Sequence, residues 1–234
     1  ETLYHYTPTV ETAQHVAHLT PPTTPCQNCT QHHFSTEPPA HKISGNLDAY
    51  GNHRLYWSLP SPHSTLKVSA ISEVETFQLE AKRHLALQQQ ATDITWESAR
   101  TAFQYRAAQA SDEASGFAYG SHHAPIDLAF AIYAQRSFSA GRNLIDATRD
   151  LMRRIHTDFK YESFSTDIST PALKVLEDKR GVCQDFAHVM LACLRSLGLA
   201  ARYVSGYLLT VPPPGQPRLI GSDASHAWAS VYVP

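Results

Sequence analysis

Short alternating stretches open the chain. Leu3 to Tyr6, His15 to Leu19, Arg54 to Leu59 and Leu66 to Ile71 carry β-rich or alternating side chains between Pro, Gly, Asn and Ser punctuation. Tyr50-Gly51-Asn52, just ahead of the apolar Tyr56 and Trp57, fits a turn feeding a strand. Residues 1–78 therefore read as an antiparallel β-rich domain. From about Leu79 the period becomes helical. Ala81 to Gln90 holds good helix formers, and Thr95 offers a cap for a helix running to Ala108, so residues 79–142 read as a helical connecting region. Leu144 to Phe159 is a stronger helix, with Leu144, Ile145, Thr148, Leu151, Met152, Ile155 and Phe159 at three-and-four spacing. Thr170-Pro171 opens a short helix with Pro at the tolerated first position, and Gly181 ends it or begins the next turn.

The best-defined helix runs from Cys183 to Leu197. Cys183, Phe186, Ala187, Met190, Cys193, Leu194 and Leu197 fall on one apolar stripe, and Gly198 supplies the stop. Strands follow at Ala201 to Leu209 and Ala224 to Val233, separated by the Pro-rich stretch Pro212 to Pro217. In the last strand, period two sets His226, Trp228, Ser230 and Tyr232 on one face and Ala227, Ala229, Val231 and Val233 on the other. The second set is the natural core face, which turns His226 toward a polar or cleft side. Residues 143–234 thus read as an α+β core, and the chain as a whole as α+β.

Placement gives Cys183 its chemistry. A cysteine in the first turn of a helix meets the positive end of the helix dipole and unpaired backbone N–H groups, which stabilise a thiolate and can hold an oxyanion. Attack on an amide carbonyl needs such a thiolate, a base that later protonates the leaving amine, and donors for the tetrahedral oxyanion. Cys183 is the candidate nucleophile, His226 the candidate base, and the Cys183 N–H one oxyanion donor. The second donor is not legible. Asp223 and Asp185 are the in-chain carboxylates near these motifs. An extended strand projects Asp223 away from His226, and Asp185 suits the first helical turn better than an imidazole-orienting role. Cys193 lies deeper on the same stripe as a core residue, and His188 reads as structural. Trp228 either lines the cleft or packs.

The motifs resemble a known family. Arg180-Gly181-Val182-Cys183-Gln184-Asp185-Phe186-Ala187-His188, Leu194-Arg195-Ser196-Leu197-Gly198-Leu199, Ala201-Arg202-Tyr203-Val204-Ser205-Gly206-Tyr207 and Ser225-His226-Ala227-Trp228 closely resemble the core of bacterial transglutaminase-like proteins. The early segments, with Tyr50-Gly51-Asn52, look like the β-rich region that precedes this core in the same family. The resemblance covers nearly the whole chain. It implies a papain-like core and a Cys, His, Asp triad in that order, with Cys183 and His226 as the first two members. The family's Asp follows the His strand in an Asp-Pro-Thr-Asn-like segment, and this sequence ends before it at Pro234. The expectation is weak or absent activity in this fragment.

Composition narrows the classes. The 234 residues carry a formal net charge of -2 and are 42% hydrophobic, without a concentration of Lys and Arg that would track phosphates, so nucleic acid is not an expected partner. No run approaches a bilayer span and no signal-peptide pattern opens the chain, which points to a cytoplasmic protein without membrane partners. Four unevenly spaced cysteines do not form a disulfide framework. Cys26-Gln27-Asn28-Cys29 with His32 and His33 offers zinc-type ligands, yet the cluster is too compressed for comfortable tetrahedral closure. Pro21, Pro22, Pro25, Pro38 and Pro39 around it suggest a loop between strands. The expected activity is cysteine-dependent amide chemistry on a protein or peptide substrate, as a protease, amidase or acyl transferase, with no cofactor and no metal. The alternatives are a non-catalytic interaction module retaining the fold and a structural domain organised by metal at Cys26 and Cys29.

Overall fold

The computed structural model describes residues 1–78, 93–108, 112–163, 165–167, 169–208, 215 and 225–234. The chain forms two compact units, Glu1–Ala81 with Thr210–Ala224, and Lys82–Leu209 with Ser225–Pro234. The helical reading of Ala81 to Gln90 lies outside the described residues.

In the first unit the alternating stretches become strands β1 (Thr2–Val10), β2 (Ala13–Ala17), β5 (His53–Leu59) and β6 (His63–Thr76). Two further strands, β3 (Gln27–Glu37) and β4 (Ile43–Leu47), complete antiparallel sheets of order β1-β6-β3 and β2-β5-β4. Period two supplies the core: Trp57 and Leu59 of β5 meet Leu66 and Val68 of β6, one sheet against the other. The turn before β5 forms as its composition requires. Asp48 accepts from the backbone N–H groups of Tyr50 and Asn52, and Gly51 adopts a positive φ of 78°.

The tract from Cys26 to Glu37 is not a loop. Gln27 to Glu37 pairs with β6 from Gln27↔Thr76 to Glu37↔Lys67, with one irregularity between Cys29 and Gln31. Its prolines flank the ladder without interrupting it, and a long partner strand decides the conformation over local punctuation.

The second unit is mixed. Its helices are α1 (Trp96–Ala102), α2 (Leu128–Gln135), α3 (Leu144–Asp158), α4 (Ala172–Asp178) and α5 (Cys183–Ser196), with a 3₁₀ turn at Glu113–Ala118. Strands β7 (Lys160–Tyr161) and β8 (Arg180–Gly181) pair in parallel, and β9 (Ala201–Tyr207) pairs antiparallel with β10 (Ser225–Val231). Thr95 caps α1 by accepting from the Ser98 N–H. That helix stops at Ala102 and does not reach Ala108, because Phe103 turns inward onto Ala114 and Ala200. Pro171 stands at the N-cap of α4, one place before the expected first helical position, and Lys179 in the left-handed region ends the helix two residues ahead of Gly181.

Helix α5 is the axis of the core. Val189, Leu191, Ala192, Cys193 and Leu194 are essentially inaccessible, so burial extends beyond the single stripe read from the sequence. The reason is its neighbours: α2, α3 and α4 on one side, β9 and β10 on the other. Trp96, Phe130 and Phe138, from the stretch read as a connector, belong to the same apolar cluster. Gly198 follows α5 with φ of 79°, the left-handed stop. Among the described residues no helix is long and apolar enough to cross a membrane.

Candidate active site

The chain reaches Cys183 through a tightly specified approach. After β8, Val182 is extended and acts as N-cap of α5 without a capping side chain. Asp185, at the third helical position, reaches back and accepts from the Val182 N–H at 2.8 Å. The Thr166 hydroxyl donates to the same carboxylate oxygen at 2.6 Å. Only 4% of Asp185 is exposed, so these donors are what makes a buried acidic side chain tolerable here. A Cβ on Gly181 would lie 2.6 Å from Asp185 Oδ2 and 2.9 Å from its Cβ, which explains glycine at this point of the motif.

Cys183 is the first residue of α5 and is half-buried. Two phenols lie within its electrostatic reach. Burial raises the pKa of Tyr161 and of Tyr203, and in both cases negative charge at Cys183 and then at Asp185 adds to the effect. Tyr161 sits on β7 opposite Gly181 and meets Phe186 edge-on at 6.2 Å. Phe186 in turn meets Phe159 at 5.5 Å. Tyr203 comes from β9 and stacks on His188 at 5.0 Å, and His123 also stacks on His188, at 5.1 Å. Burial, followed by His123, lowers the His188 pKa, in keeping with a ring packed for structure.

His226 reaches this region through topology. Arg195, near the C-terminal end of α5, donates to the Ala201 carbonyl, and Tyr203 stacks on His188, so β9 runs back toward Cys183. The 14 residues of α5 and the seven of β9 cover about 21 Å and about 23 Å. β10 begins where β9 ends, with His226 opposite Gly206, and His226 therefore lies at the Cys183 end of this layer. It belongs to the strand set alternating with Ala229 and Val231, which pack on the helical core. The far end of the His226 face is also covered, since Tyr232 packs on Phe117 at 5.1 Å and beside Phe103 at 6.4 Å. Trp228 is 40% exposed and its indole leans over Gly206, where a Cβ would lie 2.9 Å from the ring. No hydrogen bond joins Cys183 to His226 among the described residues.

The remaining sequence candidates separate clearly. Cys193 is fully buried, and burial pushes its thiol up to about 12, a neutral core residue. Asp223 lies outside the described residues. The Cys26, Cys29, His32 and His33 group does not converge. Cys29 donates to the Gln31 carbonyl, both His32 ring nitrogens are taken by Thr20 and Ser72, and alternation along β3 sends His33 to the opposite face. Sequence reasoning passed over Thr166, Tyr161 and Tyr203. Only the buried Asp185 could have signalled that a donor must reach it from elsewhere in the chain.

A β-rich unit, and an α+β unit with cysteine at the start of its most buried helix and histidine on an adjoining strand, define a papain-like class of protein. Comparison with known proteins gives the family. The transglutaminase-like superfamily core matches residues 132–234, and the bacterial transglutaminase-like N-terminal region matches residues 1–75. The chain belongs to this family. An uncharacterized protein of Mycobacterium tuberculosis is 41% identical over 236 residues, covering 100% of this chain and 72% of its own length. Another from Mycobacterium leprae is 29% identical over 198 residues, covering 83% of this chain and 64% of its own. A crystal structure from Cytophaga hutchinsonii, named as that of a candidate cysteine protease, superposes with a TM-score of 0.71 at 20% identity, over 98% of this chain and 70% of that one. The likeness is one of fold.

Proposed function

We propose that the chain is a cysteine-dependent amide-bond enzyme acting on a protein or peptide, with Cys183 as nucleophile and His226 as base. The observation that carries this reading is Cys183 as the first residue of α5, with its thiol at the positive end of a buried helix. The Cys183 thiolate attacks the amide carbonyl carbon, and the carbonyl π pair moves onto oxygen, facing the first-turn N–H groups. Collapse of the tetrahedral species breaks the C–N bond, and the imidazolium of His226 gives its proton to the departing amine. Water or a second amine then attacks the thioester, loses its proton to His226 and frees Cys183. Hydrolysis and acyl transfer share the acyl-enzyme and differ in the acceptor.

Asp185 is engaged by Val182 and Thr166, so the carboxylate that orients His226 in this reading is the family's, in the segment after the His strand. Apo nucleophile and base are often looser than in a substrate complex, which accommodates the absence of a Cys183–His226 hydrogen bond among the described residues. The test is cleavage of a generic amide substrate, with and without an added primary amine, by the wild type, Cys183→Ala and His226→Ala. Loss of both products in Cys183→Ala and a fall of about a hundredfold or more in His226→Ala are expected. Activity that survives Cys183→Ala would sink the reading and leave a binding module.

A further inference from the structure

We infer that Asp185 and Thr166 form a positioning clasp that fixes the peptide entering Cys183 and sets how readily its thiol ionises, a role that rests on Cys183 being the nucleophile. Both donors converge on one oxygen, Asp185 Oδ2: the Val182 N–H at 2.8 Å and the Thr166 hydroxyl at 2.6 Å. Val182 is the residue immediately before the nucleophile, and its N–H belongs to the Gly181–Val182 peptide unit, so the carboxylate holds the backbone one residue ahead of Cys183. Gly181 leaves no room for the clasp to relax outward, because even a methyl there would collide with the Asp185 side chain.

The clasp also places charge. A helix N-terminus favours a thiolate, whereas a buried carboxylate two residues away opposes it. Two donors on the carboxylate oxygen draw its charge away from the sulfur, and so moderate that opposition. Thr166 is the adjustable part. It comes from the connection between β7 and α4, 19 residues earlier in the chain, and is tied to α5 through this hydroxyl. The titratable groups set toward Cys183 and Asp185 are Tyr161 from β7, Tyr203 from β9, His188 from α5 itself and His226 from β10. Neither tyrosine carries charge near neutral pH, and burial favours neutral His188, so Asp185 is the group among these that brings negative charge to the thiol.

The experiment is the rate of Cys183 alkylation by iodoacetamide against pH, in the full chain carrying Cys26→Ser and Cys29→Ser, with Cys183→Ala as the blank. Thr166→Val removes the hydroxyl at nearly constant volume and is expected to move the profile to higher pH, while Thr166→Ser restores it. Asp185→Asn removes the opposing charge and is expected to move the profile to lower pH. Amide turnover falls about tenfold in both Thr166→Val and Asp185→Asn with little change in KM, since the thiol is misaligned in each. A purely structural carboxylate would not drive the two profiles in opposite directions. Superposition of Thr166→Val on the parent, or movement of both variants the same way, overturns the clasp. If Asp185→Asn does not fold, the Thr166→Val and Thr166→Ser pair decides alone. Expected profile shifts together with amide turnover that survives Cys183→Ala would sink the enzyme reading and leave the clasp standing.

Discussion

Gly181 and Asp185 occupy one space. The Asp185 carboxylate comes so close to the Gly181 backbone that a Cβ there would lie 2.6 Å from Oδ2 and 2.9 Å from the aspartate Cβ. The second contact lies near the helix backbone and cannot swing aside as a side-chain tip would. Gly181→Ala should therefore lower stability by about 1–3 kcal/mol, the usual cost of overpacking. Urea unfolding of the two chains checks it, and equal midpoints would show that β8 yields without cost.

His188 should make stability fall in mild acid. Its pKa in the folded chain is lowered, chiefly by burial and then by His123 and Arg195, while Asp185 acts the other way. Below the ordinary histidine value of 6.5 the unfolded chain takes up a proton that the folded chain does not, so unfolding is favoured as pH drops toward the folded value. Above 6.5 neither state binds that proton and the contribution is fully present. His15 and His32 add in the same sense, as their pKa values are also lowered by burial. His188→Phe keeps a flat ring between His123 and Tyr203 and should flatten part of this pH dependence. Urea midpoints at a neutral and a mildly acidic pH give the comparison, and an unchanged slope would remove His188 from the account.

Gly206 and Trp228 should couple through His226. Gly206 is the cross-strand partner of His226, and the Trp228 indole covers it on that face. Gly206→Ala would push the indole aside by contact with its ring, disturbing the wall beside the imidazole. The expected result is slower amide turnover with unaltered alkylation of Cys183. In a Trp228→Ala background the same Gly206→Ala change should cost much less, since the collision is gone. Additive losses in the double variant would show that the two residues act separately.

How far the sequence reaches depends on which forces are local. Alternation marked β1, β2, β5 and β6, and helical spacing marked α3 and α5, because one-sided burial leaves a periodic trace along a single segment. Thr95 as a cap, Gly198 as a stop and Cys183 at the head of its helix were legible for the same reason. β3 was not, since its conformation comes from a ladder with β6 some forty residues away and its own composition speaks for a loop.

The sequence by itself determined β1, β2, β5, β6, α3 and α5 in outline and put a cysteine in a first helical turn, with a histidine on a later strand. Only the tertiary structure decided that α5 is buried on several sides, that Asp185 serves Val182 and Thr166, and that Gly181 has no space for a side chain. It also decided that Cys29, His32 and His33 do not converge. The physical reason is the same in each case. Periodicity and capping are written into neighbouring residues, whereas hydrogen bonds and close approaches between distant segments exist only once the chain has packed.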